Sequence, residues 1–243
     1  MKDGKVYARI LKEIDQLGGL VFLVVDPPNQ DPVVAGKIAK AAEEAGINAI
    51  AVGGSVGAQG ELLDKTILEI KGKTSLPVIL FPGNIATLSK HADAIYFMSM
   101  LNSLDPYFIS GAQIASAAPI RKLNIETIAT SYIVVEPGRA VGWVGRAQLV
   151  PRNLPYLAGV TALAGQYMGS KLVVLESGGG ADSPAPPEMI SYTKKLIDVP
   201  LVVAGGVKYE RFAYETIKAG ADIIHVGSAA EKTNGDVAQV KSL

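Results

Sequence analysis

LVVAGGVKYERFAYETIKAGADIIHVGS, residues 201–228, is the segment that decides the fold. It consists of an apolar run, two glycines, a helical pattern, a second apolar run and Gly-Ser. Near-continuous runs of Val, Ile and Leu indicate strands that are buried on both faces, as in a parallel sheet covered by helices. The segment therefore predicts a strand–helix–strand unit of an α/β fold.

Apolar runs like these two occur eight times along the chain. We interpret them as strands at residues 20–25, 49–52, 78–81, 94–97, 128–135, 172–175, 201–204 and 223–226. Helical patterns alternate with them at residues 33–45, 61–71, 106–123, 154–168, 187–197 and 209–219. Eight alternations predict one (β/α)8 TIM-type barrel over residues 1–243, since such barrels typically take about 250 residues. An open doubly wound sheet is the alternative, but it favours G-x-G-x-x-G after its first strand, where this chain has Asp26-Pro27-Pro28.

Two connections depart from the regular pattern. Residues 82–93, between the third and fourth strands, are too few for loops and a full helix, so we expect the third helix to be missing or reduced to a turn. Residues 136–152, after the fifth strand, form a long glycine-rich loop. Long loops at this end of a barrel commonly carry substrate contacts.

Composition excludes several classes of protein. Apolar residues make up 49% of the chain and charged residues 19%, which excludes disorder. The formal net charge is zero, which argues against a nucleic-acid partner, and without cysteine there are no disulfides or thiolate metal sites. The N-terminus reads as an amphipathic helix rather than a signal peptide, and no apolar run is long enough for a transmembrane segment. We expect a cytoplasmic protein.

Glycines after the last two strands predict a phosphate site. Gly205-Gly206 and Gly227-Ser228 follow the seventh and eighth strands, where barrels commonly bind phosphate. Glycine lets backbone N–H groups approach phosphate oxygens, and a following helix N-terminus adds its dipole. The alternative is that these glycines only permit tight turns.

Glu176, which ends the sixth strand, is the candidate general base. It is followed by Ser177 and three glycines, Gly178, Gly179 and Gly180, which leave the loop open to close approach. A carboxylate there can accept a proton from a substrate hydroxyl. Alternatively, Glu176 pairs with a lysine and the glycines form a hinge.

Asp26 and Ser55, after the first and second strands, are candidate Mg²⁺ ligands. Mg²⁺ prefers oxygen ligands, keeps several waters and shares substrate phosphates. The residues leave open a second interpretation, in which Asp26 caps the turn before Pro27 and Ser55 merely ends a strand.

Trp143, the only tryptophan, either packs locally or anchors a contact between subunits.

In combination, these segments resemble the geranylgeranylglyceryl phosphate synthase family over nearly the whole chain. The resemblance rests on residues 25–27, 53–55, 80–84, 98–103, 132–138, 175–180, 205–206 and 226–228. It implies Mg²⁺-dependent transfer of a prenyl group from geranylgeranyl diphosphate to the C3 hydroxyl of sn-glycerol 1-phosphate, in archaeal membrane lipid synthesis, by a homo-oligomer. Relatives of the family use a longer donor such as heptaprenyl diphosphate.

The resemblance also assigns roles to residues. Asp26 and Ser55 would hold Mg²⁺ and the diphosphate. The glycerol phosphate site would comprise Val174, Leu175, Glu176, Ser177, Gly178, Gly179, Gly180, Gly205, Gly206, Gly227 and Ser228. The chain departs from the family in two places: Asp-Pro-Asp-Lys is here Asp26-Pro27-Pro28-Asn29, and Val174 replaces a common tyrosine.

Two other functions remain compatible with the residues. Another phosphate-binding barrel, an isomerase or a thiamine-phosphate-type synthase, could use Asp26 and Glu176 at the barrel mouth. A barrel that binds a phosphorylated ligand without turnover is the other. A requirement for Mg²⁺ and the release of diphosphate would distinguish prenyl transfer from both.

Overall fold

Parallel strands close into a barrel in the computed structural model, which describes residues 4–54 and 56–227. Within these residues the strands are β1 (Leu20–Val25), β2 (Ala49–Gly54), β3 (Val78–Pro82), β4 (Ala94–Met100), β5 (Glu126–Val134), β6 (Leu172–Glu176), β7 (Leu201–Ala204) and β8 (Ile223–Val226). Each strand pairs with the next, and β1 pairs with β8, which closes the sheet. The barrel prediction is confirmed, and the open doubly wound alternative is wrong.

Helices surround the strands of the barrel. They are α1 (Lys5–Leu17), α2 (Pro32–Glu44), α3 (Gly60–Lys71), α4 (Ala112–Leu123), α5 (Arg139–Val144), α6 (Pro155–Tyr167), α7 (Pro187–Leu196) and α8 (Glu210–Lys218). None of those in the described part of the chain is long and apolar enough to cross a membrane. The helix predicted from residue 106 begins as a π-helical turn, Tyr107–Gly111, and continues as α4.

Helix α5 was not predicted, because the segment 136–152 was interpreted as a loop. Its sequence, RAVGWV, contains a glycine and two valines, which are weak helix formers. The Leu149 side chain packs against Gly138 and Gly142, where a Cβ would meet it at 3.0 Å or closer. The local helix propensity of this segment is therefore weak, and the short helix packs against the side chain of Leu149, which lies outside it.

The hydrophobic core has two parts, one inside the barrel and one between the strands and the surrounding helices. All five residues of β6 are buried, as the apolar run predicted. One apolar cluster fills the barrel interior, and two others lie between the strands and the helices. Helix α1 closes the N-terminal end: Glu126 accepts hydrogen bonds of 2.8 Å from the backbone N–H groups of Val6 and Tyr7.

The third helix is missing, as predicted, and its absence leaves a gap. No helix lies between β3 and β4 in the described structure. These strands share two register pairs, Ile79↔Ala94 and Leu80↔Ile95, whereas β4 and β5 pair from Ala94↔Glu126 to Met100↔Tyr132. Beyond Ile95, β4 is therefore unpaired on its β3 side.

Candidate active site

A cavity of about 570 Å³ opens at the C-terminal ends of the strands. Its size lies in the range of about 300–1,000 Å³ that is usual for small-molecule sites. One part is lined by glycines of the loops after β6 and β7, and another by apolar side chains of β4, α4 and the β3–β4 connection. The cavity therefore combines a polar region and an apolar region.

Glu176 lies in this cavity and is only 5% exposed. Its Oε2 atom accepts a 2.8 Å hydrogen bond from the Tyr132 hydroxyl, and its Oε1 atom accepts one of 2.6 Å from the Gly178 N–H. Both hydrogen-bond donors to Glu176 are neutral. The alternative interpretation required a lysine, but within residues 4–54 and 56–227 Glu176 forms no ion pair with one. That alternative is wrong for the described residues.

Burial makes Glu176 a stronger base than an exposed glutamate. Desolvation raises the pKa of Glu176 above its ordinary value of 4.5, while the hydrogen bonds from Tyr132 and Gly178 act in the opposite direction. Burial and the neighbouring carboxylate raise the pKa of Tyr132 well above its usual range. The phenol therefore stays protonated and donates to the carboxylate.

Glycine is required where the loops pack around Glu176. Gly205 has φ +77° and lies against the Glu176 carboxylate and the Gly178 backbone, so any Cβ there would overlap them. Gly206 has φ +79° and lies equally close to the backbone of Ser183. These constraints bring the β6 and β7 loops together, and both loops line the cavity.

The predicted glycerol phosphate residues differ in their place relative to the cavity. Those that line the cavity are Glu176, Gly179, Gly180, Gly205, Gly206 and Gly227. Val174, Leu175 and Ser177 are fully buried and do not line it. Gly178 contributes its N–H to Glu176, and Ser228 lies outside the described residues.

Asp26 lines the cavity beside β2. Its carboxylate lies so close to Gly54 that any side chain at that glycine would overlap it. The side chain does not cap the turn Pro27–Asn29, so the capping interpretation is wrong.

Ser55 lies outside the described residues. In the described parts of the chain no three His, Cys, Asp or Glu side chains form a metal-binding group, so a cation at Asp26 needs other oxygen ligands.

An aromatic cluster lies at the bottom of the cavity. The Phe81 ring makes edge contacts with Tyr132 at 5.9 Å and with His225 at 5.4 Å between centroids. Burial lowers the pKa of His225 to about 3, and its Nε2 atom is 3.2 Å from the Tyr96 hydroxyl. His225 is therefore neutral at working pH, and it is a core residue with one hydrogen-bonded ring nitrogen.

The apolar region of the cavity lies at the gap left by the missing helix. Side chains from both faces of β4 line it: Tyr96 belongs to the interior cluster, and Phe97 packs in the outer one. Leu88, from the β3–β4 connection, and Ile120, from α4, line it as well. We call this region the apolar channel.

Four further residues at the site were given no role from sequence. Tyr132 follows the strand alternation that also places Glu176 inside the barrel, so the register of β5 and β6 was a usable signal. Arg139, Asp182 and Lys208 meet at the rim through ion pairs between separate loops, for which the sequence has no local pattern.

Proteins of known function are similar to this chain in sequence and in structure. The PcrB family profile matches residues 15–242. The geranylgeranylglyceryl phosphate synthase of Pyrococcus abyssi is 51% identical over 233 residues, which cover 96% of this chain and 92% of that protein. The solved structure of wild-type GGGPS from Thermoplasma volcanium has a TM-score of 0.92 at 39% identity, and the match covers 98% of this chain and 96% of that one.

A second solved structure was determined with a ligand. It is the (S)-3-O-geranylgeranylglyceryl phosphate synthase of Thermoplasma acidophilum in complex with its substrate sn-glycerol-1-phosphate, with a TM-score of 0.91, 35% identity and complete coverage of both chains. Since a family profile matches nearly the whole chain and a close relative covers 96% of it, this protein belongs to the PcrB family, as its resemblance to geranylgeranylglyceryl phosphate synthases predicted.

Proposed function

We propose that this protein is a prenyltransferase that joins geranylgeranyl diphosphate to the C3 hydroxyl of sn-glycerol 1-phosphate through an ether bond. The observation that carries the proposal is the place of Glu176, a buried carboxylate in a cavity that has both a glycine-lined and an apolar region. Membership of the PcrB family and the similarity to the Thermoplasma acidophilum enzyme support the same reaction.

The glycine-lined region suits the acceptor. Backbone N–H groups of the loops that contain Gly179, Gly205 and Gly227 can approach a phosphate without obstruction by side chains. A glycerol phosphate bound there extends its free hydroxyl towards Glu176. Ser228 remains a predicted contributor.

The apolar channel suits the prenyl donor. Its lining of Leu88, Phe97 and Ile120 would remove the chain from water, a gain of roughly 0.8 kcal/mol for each buried CH₂. The diphosphate would lie near Asp26 and Gly54, with the allylic carbon near Phe81. This arrangement puts the reactive carbon between the leaving group and the acceptor hydroxyl.

The reaction then needs one proton acceptor. The C3 oxygen of the acceptor forms a bond to C1 of the donor, the C1–O bond breaks, and diphosphate leaves with the bonding electrons. The hydroxyl proton passes to Glu176, whose raised pKa makes it a better acceptor than an ordinary glutamate. Neutral His225 adds no positive charge near an allylic carbon that becomes electron-poor.

We propose that Asp26 holds Mg²⁺, with Ser55 as a predicted second ligand. One carboxylate with water and diphosphate oxygens is a coordination that Mg²⁺ commonly adopts. The ion would neutralise the charge that develops on the leaving diphosphate.

Two alternatives differ from this proposal in testable ways. An isomerase that used Asp26 and Glu176 would have no need of the apolar channel and would release no diphosphate. The same transfer with a longer prenyl donor would extend past Ile85, which lies at the cavity edge and is 44% exposed. A cytoplasmic location remains a prediction.

The first prediction is that the protein forms a prenyl ether. Incubated with Mg²⁺, labelled sn-glycerol 1-phosphate and donors from farnesyl to heptaprenyl diphosphate, it should yield the ether and an equal amount of diphosphate. The donor with the highest kcat/KM identifies the chain length. Absence of an ether with every donor would contradict the proposal.

Glu176→Gln is the matched negative variant for this assay. It should lower kcat by about 10²–10⁴-fold, the usual contribution of a positioned general base. Because folding raises the pKa of Glu176, the ionised carboxylate weakens the fold at neutral pH, so Gln should leave Tm unchanged or raise it. Glu13→Gln, which removes an exposed ion pair on α1, should leave kcat unchanged.

The second prediction concerns the metal. Asp26→Asn should raise the Mg²⁺ concentration needed for half-maximal activity by about tenfold or more, since a neutral amide is a weaker ligand than a carboxylate. The KM for glycerol phosphate should change little. Asp15→Asn on α1 is the control, and an unaltered Mg²⁺ dependence in Asp26→Asn would refute the assignment.

We also propose that α5 contributes to a contact between subunits. Trp143 is 87% exposed, so the interpretation that it packs locally is wrong, and Leu104, 66% exposed, hydrogen-bonds to the neighbouring Arg146 backbone. Aromatic side chains with this exposure are typical anchors of interfaces.

The third prediction tests this contact. Trp143→Ala should reduce the molar mass measured by light scattering, with the fold retained by circular dichroism. Tyr167→Ala, which removes an aromatic side chain that is 78% exposed on α6, is the control. An unchanged mass for Trp143→Ala would reject the role of α5.

A further inference from the structure

Three charged side chains meet at the cavity rim. Asp182 follows the β6 glycines, Arg139 begins α5, and Lys208 lies between β7 and α8. One Asp182 oxygen is 3.4 Å from Arg139 Nη2, and the other is 3.6 Å from Lys208 Nζ. Lys208 also lines the cavity, next to the loop of Gly205 and Gly206.

Lys208 can readily exchange Asp182 for another anionic partner. The Asp182 side chain is 89% exposed, and both of its ion pairs are longer than an ordinary hydrogen bond. Exposed pairs of this kind contribute little to stability because water competes for both charges. The Lys208 side chain is 30% exposed, and its flexible stem allows the ammonium to change partner.

The phosphate site needs a cation that its glycines do not supply. Backbone amides of Gly179, Gly180, Gly205 and Gly206 offer neutral donors, whereas a phosphate monoester carries a charge of about −1.5 to −2 at neutral pH. A Cβ placed on Gly179 would meet no atom within 4 Å, so the space above this loop is open to a ligand. Lys208 borders the same space.

We propose that Lys208 binds the phosphate of the acceptor and that Asp182 is the counter-ion it leaves when the acceptor enters. The inference rests on the proposed function for the identity of the acceptor. After the exchange Asp182 keeps its contact with Arg139, whose loop already packs on Gly178 through the Gly138 carbonyl. Asp182 therefore competes with the substrate, and a ligand without an anionic group does not displace it.

Binding measurements separate this exchange from a purely structural ion pair. Titration calorimetry with sn-glycerol 1-phosphate, and with inorganic phosphate as a minimal probe, should show about 10–100-fold weaker binding to Lys208→Met, as expected when a hydrogen bond between charged groups is lost. Asp182→Asn should bind both anions several-fold more tightly. If Asp182 only held the loop in place, Asp182→Asn would bind them more weakly.

The double variant tests whether Asp182 affects phosphate binding through Lys208. In Lys208→Met/Asp182→Asn, the gain produced by Asp182→Asn should be smaller than in the wild-type background, because no lysine is left to release. Lys218→Met and Asp15→Asn, which alter exposed charges away from the mouth, should bind as the wild type does.

Kinetics assign the residue to one substrate. Lys208→Met should raise the KM for glycerol phosphate and leave the KM for the prenyl diphosphate unchanged. A change confined to the donor KM, unaltered phosphate binding by Lys208→Met, or weaker binding by Asp182→Asn would overturn the inference. If the wild type binds phosphate as described but forms no ether, the proposed function fails and the exchange stands.

Discussion

The site depends on one carboxylate kept inside the barrel by two neutral hydrogen-bond donors. A buried charge is costly unless its oxygens are hydrogen-bonded, and Tyr132 and the Gly178 N–H each bond one oxygen of Glu176. Several sequence constraints follow from this arrangement. Gly178 and Gly205 both adopt positive φ, and Gly205 leaves room for the carboxylate where any side chain would overlap it. These glycines therefore determine the surroundings of the Glu176 carboxylate as well as the course of the two loops.

The apolar channel lies at the gap left by the missing third helix. A complete (β/α)8 barrel covers every strand with a helix. Here the β3–β4 pairing stops at Leu80 and Ile95, and the cavity continues between Leu88 and Ile120. In the proposed function this cavity takes two substrates: the prenyl chain leaves through the gap, and the acceptor occupies the glycine-lined loops.

Features that depend on local composition could be predicted from the sequence. The bounds of β1, β7 and β8 agree with the apolar runs, since strands buried on both faces leave an uninterrupted signal. Gly205 and Gly206 line the cavity after the seventh strand, where the sequence predicted a phosphate loop, and their contact with phosphate stays a prediction. The short connection 82–93 predicted the missing helix from chain length alone.

Features that depend on distant contacts could not be predicted. Tyr132 lies 44 positions from Glu176 and reaches it only through the register of β5 on β6. The exposure of Trp143 follows from α5, a short helix with a weak local signal. Asp182 meets Arg139 and Lys208 only after three loops have converged, and their sequence shows nothing but scattered charges.

In the proposed reaction Glu176, whose pKa the Tyr132 hydrogen bond lowers, accepts the proton of the acceptor hydroxyl. The pH dependence of kcat/KM for the wild type and for Tyr132→Phe tests it most directly. Activity should fall on the acid side as Glu176 becomes protonated, with a midpoint above pH 4.5, because burial raises its pKa. The Tyr132 hydrogen bond lowers that pKa, so Tyr132→Phe should move the acid limb to higher pH. An acid limb that stays in place or moves to lower pH in Tyr132→Phe would mean that Glu176 is not the proton acceptor.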